Sequence, residues 1–76
     1  MSKRLISQNG LANLPFDTST IFILGETVYG YGSVTDRTET LAKYSTQEKA
    51  KNVLWLMNYT LAKENIFEFP QEEEIL

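Results

Sequence analysis

The stretch from Ser45 to Glu64 reads as one capped helix that is apolar on two faces. At helical periodicity, Ala50, Val53, Leu54, Met57 and Leu61 fall within one arc of about 100°. That arc is a core stripe, and burying its larger members contributes about 6–12 kcal/mol before entropy is counted. Trp55 and Tyr59 lie on the opposite side, one turn apart, with Ala62 beside Trp55 and Leu56 towards the other edge. Lys51, Asn52, Asn58 and Lys63 rim this second patch. Ser45 and Glu48 match the S-x-x-E capping box, and Thr46 is an alternative cap. Asn65 is placed to end the helix in the left-handed conformation.

A second apolar face matters because the chain has only 76 residues. A domain of this size buries about 60–65% of the surface that its unfolded chain exposes. Small domains are commonly reinforced by disulfides, metals or oligomerisation. With no cysteine and no histidine, disulfides are excluded and a zinc site is not expected. Oligomerisation is the remaining reinforcement. The net charge is −3, part of it in Glu72, Glu73 and Glu74, and this argues against binding a phosphate backbone. The first residues carry charge but no long apolar stretch follows, so no signal peptide is expected. The longest apolar run, Val53 to Met57, falls far short of the ~20 residues of a membrane span. These features lead us to expect a cytoplasmic protein with no membrane partner.

Around the helix the pattern is β. Lys3–Ser7 reads as a short strand and Gln8-Asn9-Gly10 as a turn. Leu14-Pro15-Phe16 is extended, with proline tolerable only at an edge or strand start. Ser19–Leu24 and Thr27–Ser33 are β-branched and aromatic, and Gly25-Glu26 between them fits a two-residue type II′ hairpin. That turn sets the register. Phe22 faces Tyr29 and Thr20 faces Tyr31 on an aromatic face, while Ile23 opposes Val28 and Ile21 opposes Gly30 on an aliphatic one. Gly30 and Gly32 leave room for a helix or a bulge. Glu39–Tyr44 and Ile66–Phe69 read as further strands, and Pro70 stops the last.

Chemistry is sparse. Without histidine or cysteine the commonest acid–base and nucleophilic groups are missing. No pair among Asp17, Glu26, Asp36, Glu39, Lys43, Glu48 and the tyrosines sits at a catalytic spacing. Gly30-Tyr31-Gly32 lacks the third glycine, the following helix and the lysine of a nucleotide-binding loop. No enzyme activity, metal or cofactor is expected.

Three stretches in order carry a family resemblance: Leu5-Ile6-Ser7-Gln8-Asn9-Gly10 with Asn13-Leu14-Pro15-Phe16, then Tyr44-Ser45-Thr46-Gln47-Glu48-Lys49-Ala50-Lys51-Asn52-Val53-Leu54, then Phe67-Glu68-Phe69-Pro70 with acidic residues behind. The chain resembles small proteins of Gram-positive bacteria, their phages and integrated mobile elements, over nearly its whole length. That family more often has Asp-Gly and Pro-Tyr where this chain has Asn9-Gly10 and Pro15-Phe16. The resemblance implies an accessory role tied to phages or mobile elements, and it brings no catalytic residues.

The expectation is therefore a single α+β domain over residues 1–76, with a fraying acidic tail at 71–76. A small, mainly antiparallel sheet of about four to five strands carries one helix, about Thr46 to Glu64, on one face. Alternatives are a sheet split into two small pieces, or an irregular Leu14–Phe16. The expected core is Leu5, Ile21, Ile23, Val28, Leu41, Val53, Leu54, Met57, Leu61 and Phe67. Trp55, Tyr59, Leu56 and Ala62 then either lie under a loop of the same chain, around Leu11–Phe16, or form an association surface. The leading reading is a non-enzymatic interaction protein forming a homo-oligomer, a dimer first, or meeting another protein partner. The alternative is single-stranded nucleic-acid binding through Phe22, Tyr29 and Tyr31.

Overall fold

The computed structural model describes residues 3–75. Its elements are β1 (Arg4–Ile6), β2 (Asn13–Pro15), β3 (Ser19–Leu24), β4 (Thr27–Gly32), β5 (Arg37–Lys43), α1 (Gln47–Leu61), β6 (Ile66–Glu68) and a 3-10 turn (Glu72–Glu74). The class is α+β. The strands do not make one sheet, however, but two three-stranded ones, ordered β2-β1-β6 and β3-β4-β5. The split form is thus the one adopted. Its cause is non-local: β1 pairs in parallel with β6, Arg4 opposite Ile66 and Leu5 opposite Phe67. With β2 antiparallel on its other side, both edges of β1 are filled and none remains for the hairpin.

The second sheet follows local rules. Gly25 has φ +66 and Glu26 is not left-handed, as a type II′ turn requires. The register has Phe22 opposite Tyr29, Thr20 opposite Tyr31, Ile23 opposite Val28 and Ile21 opposite Gly30. On the other side of β4 the register slips between Val28 and Tyr29, which face Ala42 and Thr40. Leu41 is the extra residue of this bulge, so Leu41 and Ala42 are adjacent and both buried. A strict alternation would have turned one of them to solvent.

The two sheets meet where a side chain is missing. A Cβ on Gly30 would lie 2.6 Å from Leu14 Cδ1, 3.0 Å from Leu41 Cδ1 and 3.4 Å from Ile21 Cδ1. The room at Gly30 is filled by Leu14 of β2, not by the helix. Helix α1 adds Ala50, Val53, Met57 and Leu61 to the same core, which also holds Leu5, Val28, Phe67, Phe69 and Tyr44. Ile21, Ile23 and Leu54 are only partly buried. The two isoleucines belong to β3, an edge strand with no strand beyond it among the described residues.

The helix is capped by Thr46, whose Oγ1 accepts from the Lys49 N–H at 3.2 Å. It ends at Leu61, earlier than its sequence suggests. Asn65 does not take a left-handed conformation, because Asp36 is the described non-glycine residue with positive φ. Instead the Asn65 carbonyl accepts from the Arg4 N–H at 2.8 Å, which draws the chain into the parallel ladder.

Gln8 ties the sheets together by polar contacts. Its N–H donates to the Leu41 carbonyl at 2.6 Å. Its Oε1 accepts from the Lys43 N–H at 3.2 Å and its Nε2 donates to the Pro70 carbonyl at 3.1 Å. Gln71 Nε2 donates to the Gln8 carbonyl at 2.8 Å. The residue expected to be part of a turn thus occupies the outer edge of β5. The acidic tail, expected to fray, makes contacts of its own. Glu72 accepts from the Ser45 N–H at 2.6 Å and pairs with Lys49 Nζ at 3.2 Å, while Gln71 N–H donates to Glu74 Oε1 at 2.7 Å. Leu76 lies outside the described residues, as do Met1 and Ser2. No described helix is long and apolar enough to cross a membrane.

Two outcomes follow. Gly30→Ala forces a methyl group among three packed side chains, and lowers stability to urea by about 1–3 kcal/mol even though it removes glycine's entropic cost. Hydrogen bonding from Ser45, then from Lys49, holds the Glu72 carboxyl below the usual range. A depressed folded pKa contributes stability that is present above the ordinary carboxylate pKa and lost as pH falls through the folded one. Urea midpoints measured down the acid limb therefore fall more steeply for the parent chain than for Glu72→Gln, and equal slopes would contradict the docked tail.

Candidate functional site

The outward face of α1 is set by the inward one. Ala50, Val53, Met57 and Leu61 anchor the helix to the core, so residues half a turn away must face solvent. Trp55 is 75% exposed, Tyr59 56% and Leu56 45%, and Ala62 is exposed beside them. The segment from Leu11 to Phe16 does not cover them. Leu14 is committed to Gly30, Phe16 packs against the core and Leu11 is itself 88% exposed. Tyr59 is held from the turn just past its own helix, where Lys63 Nζ donates to the phenol oxygen at 3.0 Å and sits 4.6 Å from the ring centroid. The patch is therefore two exposed aromatic side chains one turn apart on a helix, with one ring already oriented by a neighbouring cation.

The aromatic face of the hairpin is the other candidate. Phe22 and Tyr29 stack with ring centroids 5.5 Å apart and planes 26° from parallel. Tyr31 lies next along β4, and its hydroxyl donates to Asp36 Oδ1. That hydrogen bond, with desolvation second, pushes the Tyr31 phenol above its ordinary pKa. The three rings share one sheet face, with Thr38 and Thr40 opposite the tyrosines on β5. Phe22 is 36% exposed and Leu24, at the end of the same strand, 68%.

Elsewhere, a cleft of 420 Å³ is lined by Glu68, Phe69, Pro70, Gln71 and Glu74. None of these belongs to the helix patch or the aromatic sheet face. Among the described residues no group of three or more Asp or Glu side chains is placed to hold a metal ion. Tyr44, whose hydroxyl donates to the Pro70 carbonyl at 2.9 Å, is pushed up to about 12, by burial first and then by Glu72 and Glu74. It is buried among structural contacts and faces neither surface.

Sequence reasoning did not single out two features. Gln8 carries no signal beyond its place before Asn9-Gly10. The free edge of β3 becomes visible only once the order β3-β4-β5 is known. No family model matches this chain, and no curated protein or solved structure matches it either.

Proposed function

We propose that this protein acts by association and not by catalysis, with the outer face of α1 as a protein-binding surface and a second copy as its first partner. One observation carries the reading: Trp55, the only tryptophan of the chain, stands 75% exposed one turn from exposed Tyr59 on α1. Tryptophan and tyrosine dominate interface hot spots, and a polar rim such as Lys51, Asn52, Asn58 and Lys63 is the usual surround. A chain that buries so little surface gains from a partner. The resemblance to small phage and mobile-element proteins supports an accessory role inside the cell. Sedimentation velocity across micromolar concentrations shows reversible dimers, and Trp55→Ala weakens them about thirtyfold, the size of a hot-spot loss of about 2 kcal/mol. A strict monomer whose Trp55→Ala variant sediments identically sinks the reading.

The stacked Phe22 and Tyr29 favour a second reading, in which single-stranded nucleic acid stacks on the sheet face. The net charge of −3 and the Asp36 carboxylate bound to Tyr31 weigh against it. Fluorescence titration with short oligonucleotides at low salt gives no quenching if association with protein is the function. Saturable quenching abolished by Phe22→Ala reverses the order of the two readings.

A further inference from the structure

The edge of β3 is open in a way the other sheet edges are not. The outer strand β2 has three residues and ends in Pro15, and the outer strand β6 has three and ends in Glu68. The outer edge of β5 is occupied by Gln8, through its N–H to Leu41 and its Oε1 from Lys43. In contrast β3 is six residues long, Ser-Thr-Ile-Phe-Ile-Leu, with no charge and no proline. Natural edges of this length and composition are usually blunted, because they template pairing with another strand.

Hydrogen bonding identifies which groups are free. In a two-residue hairpin the pair flanking the turn, here Leu24 and Thr27, bonds across the ladder. Alternation then turns Phe22 and Thr20 towards β4, and Ser19, Ile21 and Ile23 outward. Two contacts agree with this alternation. Ser33 N–H donates to the Thr18 carbonyl at 3.1 Å, extending the inward series, and Ser19 N–H donates outward to the Phe16 carbonyl at 3.2 Å. Ser19 is therefore already engaged. The N–H and C=O groups of Ile21 and Ile23 have no partner among the described residues.

We propose that this edge pairs antiparallel with the same edge of a second copy, about a two-fold axis at Phe22. Ile21 then pairs with Ile23 of the other copy and Ile23 with its Ile21, giving four backbone hydrogen bonds and leaving Ser19 to Phe16. Centring the axis on Ile21 would require Ser19 to pair instead. The strand is nearly palindromic about Phe22: isoleucine stands on both sides, with Thr20 and Leu24 beyond. Side chains therefore match across the axis without like-charge repulsion. The half-buried isoleucines meet on one face. On the other face the Phe22–Tyr29 stack meets its own copy in a continuous row of rings, and exposed Leu24 is covered. Two three-stranded sheets become one six-stranded sheet. The inference shares self-association with the function proposed above but not the helix surface.

A chain without cysteine permits a direct test of this register. Non-hydrogen-bonded antiparallel neighbours have Cα atoms about 4.5 Å apart, within reach of a disulfide. Phe22→Cys is expected to form a covalent dimer under mild oxidation. Thr20→Cys and Leu24→Cys should each form no covalent dimer alone but cross-link when mixed. Circular dichroism confirms the fold of each variant, and sedimentation of Phe22→Lys and Trp55→Ala accompanies them. Absence of the Phe22→Cys cross-link in a chain that dimerises overturns the edge pairing. Dimers that survive Phe22→Lys but are lost with Trp55→Ala also overturn it, while leaving the helix surface intact. Cross-linking at Phe22 with dimers indifferent to Trp55→Ala supports the edge and removes the helix surface. A parent chain that stays monomeric and a Phe22→Cys variant that does not cross-link refute both.

Discussion

The fold depends on a leucine side chain placed where another residue has none. Leu14 of β2 comes so close to Gly30 of β4 that any Cβ there would meet it at 2.6 Å. This contact lets two sheets, each too small to bury its own apolar face, share one core with α1. The polar counterpart is Gln8, which bonds to β5 and to the segment around Pro70 and Gln71 at once. One joint fills volume, and the other satisfies backbone groups that would be costly to bury unpaired.

What was legible in the chain was what short-range chemistry decides. A glycine at the first turn position set the whole register of β3 against β4, down to Phe22 opposite Tyr29. Periodicity alone separated Ala50, Val53, Met57 and Leu61 from Trp55 and Tyr59. Long-range chemistry was hidden. Nothing in Arg4–Ile6 announces a parallel partner at Ile66–Glu68, because any short β-branched or aromatic strand could serve. Burial of Tyr44 and Phe69 was missed for a related reason: both sit in the shared core and make contacts distant in sequence, Tyr44 with the Pro70 carbonyl and the Phe69 N–H with that of Ile6. Leu41 was expected in the core, but its burial next to Ala42 needed a bulge that no residue type marks.

The candidate surfaces show the same division. Trp55 could be placed on the far side of the helix from sequence, but its exposure depends on where Leu11–Phe16 goes, and Gly30 decides that by receiving Leu14. The aromatic row of Phe22 and Tyr29 was readable. That β3 would stand at a sheet edge was not, since it depends on the strands dividing into β2-β1-β6 and β3-β4-β5. Surface character in a chain this small is a by-product of how the two sheets divide the strands.

The parallel pairing of β1 with β6 also orders events in time. The β3-β4-β5 meander is contiguous in sequence and closes only short loops, whereas β1 must wait for a partner at the far end of the chain. As the chain folds, the meander can form before β6 docks, leaving β1 with one edge unpaired until it does. Strand β1 is thus among the last to be completed although it precedes the meander in sequence, and the core stays open on that side until the residues from Ile66 to Phe69 dock.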